Sequence, residues 1–163
     1  MSGTINSLGS RSGVIGNPTF PVGHILNVTN DIYTSEPSTN NTSFAVIDAS
    51  NFAVTVSPAS SSSTFFIIVF LSGVDTGDWA AFDIYRAIGA STTNSLSSQT
   101  LGFAAISTAL ANDSPVTYTC LDSPATTTDI TYAPSARTTN ASYNWNINDS
   151  GFSSRITVLE IAG

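Results

Sequence analysis

The chain has 163 residues, enough for one domain with a short extension, and 41% of them are hydrophobic, enough for one core. Only 9% of the residues are charged, the net charge is −7, and the four cationic residues are all arginines. Four scattered arginines cannot follow a phosphate backbone or hold an anionic lipid surface, so we expect neither nucleic-acid binding nor membrane binding. The longest apolar run is also much shorter than the roughly 20 residues that a membrane-spanning helix needs.

Residues 1–23 predict an extended arm that is not part of a core. Five glycines and two prolines interrupt this segment, and it sustains no helical or strand period. It has neither the basic start nor the apolar stretch of a secretory leader, so we expect a protein made in a cytoplasm. A free tail would not need apolar residues, so we expect the arm to dock on another protein or on a sister subunit. The predicted docking residues are Ile5, Leu8, Arg11, Val14, Ile15 and Phe20.

From residue 24 onward the sequence predicts short β-strands, because runs of β-branched and aromatic residues are separated by turn-forming segments such as EPSTNN, DTGD and NDSG. No convincing amphipathic helix is present; residues 101–112 fit a strand or a short helical turn. Many short strands without helical interludes predict an all-β, jelly-roll-like antiparallel β-sandwich over residues 24–163. The predicted strands are His24–Tyr33, Ser43–Ile47, Phe52–Ser57, Phe65–Gly73, Trp79–Ile88, Leu101–Ile106, Val116–Leu121, Asp129–Tyr132, Tyr143–Ile147 and Arg155–Ile161.

The segment from Thr64 to Leu71 is apolar on both faces, whereas a sandwich strand normally alternates between a buried and a solvated face. The final run, residues 156–161, has the same character. A second apolar face needs a second partner, and we favour a neighbouring subunit in a closed trimer over a cover formed by the arm or by a long loop. The predicted subunit-interface residues are Phe66, Ile68, Phe70, Val158 and Glu160.

Catalytic chemistry has little support in the sequence. His24 is the only histidine, no nucleophile motif lies beside it, and we interpret it as a strand-edge residue. Cys120 is the only cysteine, which excludes an intrachain disulfide, and we expect a buried structural thiol. Asp75 and Asp78 flank a turn, where aspartates more often cap their own backbone than bind calcium. We therefore expect no enzyme activity, no metal and no cofactor.

Two acidic residues, Asp83 and Glu160, fall inside predicted strands, where an unpaired charge is costly. Arg86 and Arg155 are the candidate partners for these carboxylates. A charge pair near a subunit boundary would specify the register of the contact more than its stability.

Aromatic residues are the remaining indication of a binding role. Trp79, Tyr143 and Trp145 could line a sugar-binding surface, and the last two fall on one face of a predicted strand. The alternative, which we favour, is that this face belongs to the core.

Several segments resemble small virion proteins of tailed phages from marine and freshwater sources. The resembling segments include GSRSGVIG (9–16), CLDSPATTTDITYAPSARTT (120–139) and SSRITVLEIAG (153–163), and the likeness extends over nearly the whole chain. Its most specific parts are GSRSG (9–13), the DSP before the seventh predicted strand (113–115) and ITVLEI (156–161). Such chains are similar to fibre-type sandwich domains of the trimeric complement C1q and tumour-necrosis-factor kind. The resemblance implies a non-enzymatic homotrimer on the virion surface, attached through its arm to a tail or capsid protein, and it brings no catalytic residues.

Two positions on a virion fit these features. A tail-fibre or receptor-binding tip would contact the host surface, for which a glycan is a candidate ligand. A capsid decoration protein would lie on the head instead. A carbohydrate-active enzyme is the disfavoured third class, because the lone histidine has no partner motif.

Overall fold

The computed structural model describes residues 21–77, 79–106 and 110–163, with residues 110–113 described by their backbone alone. These residues form strands and a single 3₁₀ turn at Asp149–Gly151, and no helix among them is long and apolar enough to cross a membrane. The strands are β1 (Ile25–Tyr33), β2 (Ser38–Thr39), β3 (Ala45–Val46), β4 (Val54–Val56), β5 (Thr64–Thr76), β6 (Ala80–Ile88), β7 (Ser91–Thr93), β8 (Ala104–Ile106), β9 (Leu110–Asp122), β10 (Ile130–Thr138), β11 (Trp145–Asn146) and β12 (Ser154–Ile161).

The strands pair in two antiparallel sheets. In the first sheet the order is β1-β12-β5-β9, and the short strands β11 and β2 continue beside the far end of β5. In the second sheet β10 and β6 are central, with β3 and β4 on one side and β7 and β8 on the other. Most neighbouring strands are distant in sequence, and this order is that of a jelly roll. The predicted all-β, jelly-roll-like sandwich is confirmed, while the predicted docking residues from Ile5 to Phe20 lie outside the described residues.

Strand β5 is the centre of the first sheet, and its inner face forms much of the core. Phe65, Ile67, Val69 and Leu71 are fully buried between the sheets. The Phe65 ring lies 5.8 Å from the ring of Tyr132, centroid to centroid, on the facing strand β10. Burial of side chains of this size contributes roughly 1.5–3 kcal/mol each. One face of the doubly apolar run is therefore explained by the core of a single chain.

Pro134 lies inside β10, where a proline removes one hydrogen-bond donor from the ladder. Its carbonyl oxygen accepts a hydrogen bond from the Ile47 amide (3.0 Å), so its nitrogen also faces the side of β3 and β4. That neighbour is interrupted between Val46, which ends β3, and Val54, which begins β4. The proline nitrogen therefore faces the gap between β3 and β4, where there is no strand to accept a hydrogen bond from it.

The two ends of the sandwich differ in what they carry. At one end, the Gly23 amide donates to the Ala162 carbonyl and the Ala162 amide donates to the His24 carbonyl, both at 2.7 Å. We call this the terminal end. The opposite end, which we call the loop end, carries the turn between β5 and β6 and the loop between β10 and β11. Pro21, the first described residue, therefore lies at the terminal end.

The arginines of the described residues predict resistance to trypsin. Arg86, Arg137 and Arg155 lie in β6, β10 and β12, which have hydrogen-bonded neighbours on both sides. A protease needs a locally unfolded segment, and central strands open only with the core. We expect native digestion to leave residues 21–163 intact by mass spectrometry, while heat-denatured protein is cut at all three sites. Release of a peptide ending at Arg86 from the folded protein would contradict this.

Candidate interaction surface

The outward side of the first sheet is an ordered array of side chains. The antiparallel register places residues of neighbouring strands in rows across the sheet, and alternate rows point outward. From the loop end to the terminal end, the outward rows are Ile32–Arg155–Phe70–Thr117, Asn30–Thr157–Ile68–Thr119, Val28–Leu159–Phe66–Leu121 and Ile25–Ile161–Thr64. We call this set the outer face.

The outer face is largely apolar, and its apolar residues remain open to solvent. Ile25, Val28, Ile32 and Leu121 are at least half exposed, and Phe70 is 39% exposed. They are five of the eleven large apolar side chains that are exposed among the described residues, so the exposure is concentrated on one face. Contiguous apolar surface of this kind marks an interaction site in a soluble protein.

The predicted interface residues of β5 all lie on the outer face. Phe66 and Ile68 are half-buried by their neighbours in the sheet, and Phe70 is exposed. The exposed apolar residues that β1 and β9 contribute to this face, Val28, Ile32 and Leu121, were not predicted from the sequence. The signal in β1 was the alternation of Val28, Asn30 and Ile32, which places two apolar residues on the side opposite the buried Tyr33.

The predicted interface residues of β12 are corrected by the structure. Val158 pairs with the inward-facing Ile67 and is buried in the core of its own chain. Glu160 is also buried on the inner side, where its carboxylate accepts hydrogen bonds from the Ala59 amide (2.6 Å) and the Ser63 hydroxyl (2.7 Å). The outward residues of β12 are those of opposite parity, so neither Val158 nor Glu160 is available to a neighbouring subunit.

The outward side of the second sheet is, in contrast, partly covered by its own chain. Asp83 points outward from β6 and is fully buried by the segment that follows β7. Its carboxylate accepts hydrogen bonds from the Ser95 hydroxyl (2.6 Å), the Ile84 amide (2.6 Å), and the hydroxyl and amide of Ser97. Serine and amide donors, and not the expected arginine, hold this carboxylate. The first sheet has no comparable cover within the described residues.

The predicted sugar-binding aromatics separate into core and surface. Trp145 is buried, with its ring edge-on to Phe82 at 5.9 Å between centroids, so the core interpretation is confirmed for this residue. Trp79 and Tyr143 are partly exposed at the loop end. Their loops are tied together, because the Thr139 amide donates to the Trp79 carbonyl (3.3 Å) and the Tyr143 ring packs against Gly77.

Comparison with known proteins assigns no relative to this arrangement. No family model matches the chain, and no curated protein matches it.

The sequence predicted neither a metal site at Asp75 and Asp78 nor a catalytic role for His24. Asp75 lies on β5 opposite Asn146, and Asp78 lies outside the described residues. No group of three or more histidine, cysteine, aspartate or glutamate side chains within the described part of the chain is placed to hold a metal ion. His24 is exposed at the terminal end, where its backbone joins β1 to the end of the chain.

The predicted buried thiol is confirmed. Cys120 lies on the inner side of β9, and burial, aided by the nearby Asp122 and Asp83 charges, raises the pKa of its thiol to about 12. Burial likewise raises the pKa of Tyr132, whose hydroxyl donates to Asp122 (2.7 Å), and that of Tyr118. All three groups are therefore held in their neutral form inside the sandwich.

These buried groups predict a loss of stability in alkaline solution. In the unfolded chain the thiol ionises near pH 9 and tyrosines near pH 10, whereas the folded protein keeps those protons. The unfolded state therefore binds fewer protons above pH 9, and the free energy of unfolding falls as pH rises, by roughly 1.4 kcal/mol per pH unit for each group. Urea unfolding between pH 8 and 11 measures this slope. Cys120→Ala should flatten it between pH 9 and 10, and an unchanged slope would contradict the assignment.

Proposed function

We propose that this chain is a non-enzymatic structural protein of a tailed-phage virion, whose jelly-roll domains assemble as a trimer through the outer face. The observation that supports this most is the uncovered apolar outer face of the first sheet. Isolated soluble domains rarely leave such a surface open, and closed assembly of identical copies is a common way to bury it. The resemblance to trimeric fibre-type sandwiches favours three copies.

The arm supplies the attachment to another virion protein in this proposal. Residues 1–30 contain no carboxylate, whereas the remainder of the chain contains all eleven. An arm with apolar residues and Arg11 as its only charged side chain suits a partner surface that is apolar or acidic. Because residues 21–23 of the arm lie at the terminal end, an arm docked on a partner would point the loop end away from that partner.

The exposed loop end favours a tail-fibre or receptor-binding tip over a capsid decoration protein. Trp79 and Tyr143 offer aromatic rings on two loops that are hydrogen-bonded to each other, and Asn140 and Asn144 lie close to Tyr143 in the sequence. Rings with neighbouring amides suit a sugar, since one face of a sugar is apolar and its hydroxyls need donors and acceptors. A host surface glycan is therefore the proposed ligand class for this end.

The first test is the molar mass of the protein in solution, full length and without residues 1–20, by multi-angle light scattering. The proposal expects three times the chain mass for each form, where the full-length chain has a mass of 16.9 kDa and the truncated chain is lighter. A monomer at all concentrations would contradict it, and a monomer only without the arm would mean that the arm, and not the outer face, holds the copies together. Copy number per purified virion then separates the two positions, since hundreds of copies indicate capsid decoration and dozens or fewer indicate a tail part.

A further inference from the structure

A groove of about 290 Å³ lies at the loop-end edge of the outer face. It is lined by Ile32, Phe70, Ser153, Ser154 and Arg155. Three of these residues form the first outward row of the sheet, so strand pairing fixes their positions relative to one another. The groove therefore combines two apolar walls with one guanidinium group.

Arg155 is the one ionisable side chain in the four rows of the outer face. Within the described part of the chain its guanidinium has no ion pair and no hydrogen bond. Asp31 is next to Ile32 on β1 but pairs with the buried Ile156, and its carboxylate already accepts hydrogen bonds from the Ile32 and Ala53 amides. The cation of the groove is thus open to an outside partner.

The other buried polar groups beside the groove already form hydrogen bonds within the chain. The Ser154 hydroxyl is buried, donates to the Asn148 side-chain oxygen (2.7 Å) and accepts from the Ser72 amide (3.1 Å). Asn148 in turn donates to the carbonyls of Tyr33 and Ser35 (both 2.9 Å), which makes this wall of the groove rigid. Arg155 and the exposed hydroxyl of Ser153 remain as donors for a ligand.

We propose that this groove receives a carboxylate of a second copy of this chain, which lies outside the four rows of that copy's outer face and pairs with Arg155 as the copies associate. The inference rests on the proposed self-association. Covering the outer face removes the guanidinium from water, and a buried charge without a partner is strongly destabilising. Any occupant of the face must therefore bring an anionic group to this point.

Charge complementarity favours a second copy as the source of that group. The chain has eleven carboxylates and four arginines, so a copy presents acidic groups far more often than basic ones. A planar guanidinium binds a carboxylate through two parallel hydrogen bonds, and the Ser153 hydroxyl adds a third donor. The pair therefore fixes the register of a contact that apolar side chains alone would leave free to slide.

Arg155→Gln tests the pair, with Arg137→Gln as the matched control. Both substitutions remove one positive charge, but Arg137 lies on the second sheet, where it packs over the Phe44 ring at 5.5 Å. Sedimentation equilibrium of the full chain is expected to give a dissociation constant raised by roughly 30-fold or more for Arg155→Gln. Arg137→Gln should leave it unchanged, and thermal melts should show that both variants are folded at the temperature of the measurement.

The possible results separate this inference from the proposed function. An assembly that Arg155→Gln leaves as tight as the parent, while a charge elsewhere on the outer face dissociates it, overturns this inference alone. A parent protein that is monomeric at every concentration overturns both. An assembly that forms only when inorganic phosphate is added at constant ionic strength also overturns this inference, because a free anion would then serve as the partner of Arg155.

Discussion

Phe66→Asp is expected to convert the assembled protein into a folded monomer. Phe66 is central in the third outward row, between Leu159 and Leu121, and the aspartate would place a carboxylate in the middle of the contact. An unpaired charge that loses water on association costs several kcal/mol, which corresponds to a roughly 100-fold or larger rise in the dissociation constant. The core is spared because the side chain points away from it.

Light scattering measures the molar mass of the variant, and circular dichroism checks that it is folded. Leu121→Asp is the second variant, since its side chain is 67% exposed and carries little of the packing within the chain. Thr92→Asp is the control, because it adds the same charge to an exposed position of β7 in the second sheet. If Phe66→Asp and Leu121→Asp both remain trimeric, the outer face is not where the copies meet.

Asp83→Ala is expected to lower the free energy of unfolding by about 3–5 kcal/mol. The change leaves the hydroxyls of Ser95 and Ser97 and two amides without their acceptor. It also removes the anchor of the segment that covers the second sheet. A loss of this size corresponds to a fall in melting temperature of about 10 °C.

Calorimetry and urea unfolding measure the effect of Asp83→Ala. Asp129→Ala is the matched control, because that carboxylate is exposed and accepts from a single described side chain, the Ser57 hydroxyl (2.7 Å). We expect the control to change the free energy of unfolding by less than about 1 kcal/mol. Equal losses in the two variants would mean that the buried hydrogen-bond cluster adds nothing specific.

The fold was predictable because the pattern of short apolar runs and turn residues is local. The prolines were the main source of error in the strand bounds. The predicted runs stopped at Tyr132 and began at Val116, whereas β10 continues through Pro134 and β9 includes Pro115. A proline is tolerated in β10 because the neighbouring strand is interrupted beside it, between β3 and β4. Those strands are distant from β10 in the sequence, so the interruption could not be predicted locally.

The interaction surface was predictable in part for a related reason. Phe66, Ile68 and Phe70 followed from the two faces of one strand, which sequence parity fixes once Phe65 is placed in the core. The side of β12 that faces the core depends instead on its register with β5, and Glu160 is buried because a distant loop supplies its donors. Arg155 escaped notice as an outward charge because its neighbours in the row, Ile32 and Phe70, are brought together only by the sheet.

The hydrogen bond between Gly23 and Ala162 brings the first and last residues of the sandwich close together. Strands β1 and β12 are antiparallel neighbours, and β1 begins beside the end of β12. A few added residues between Gly163 and Pro21 would therefore join them as a hairpin. New ends could then be opened in the turn between β5 and β6. Such a permuted chain would keep every strand pairing, and its new N- and C-termini would lie at the loop end. A protein fused to those termini would therefore cover the loop end and leave the terminal end exposed.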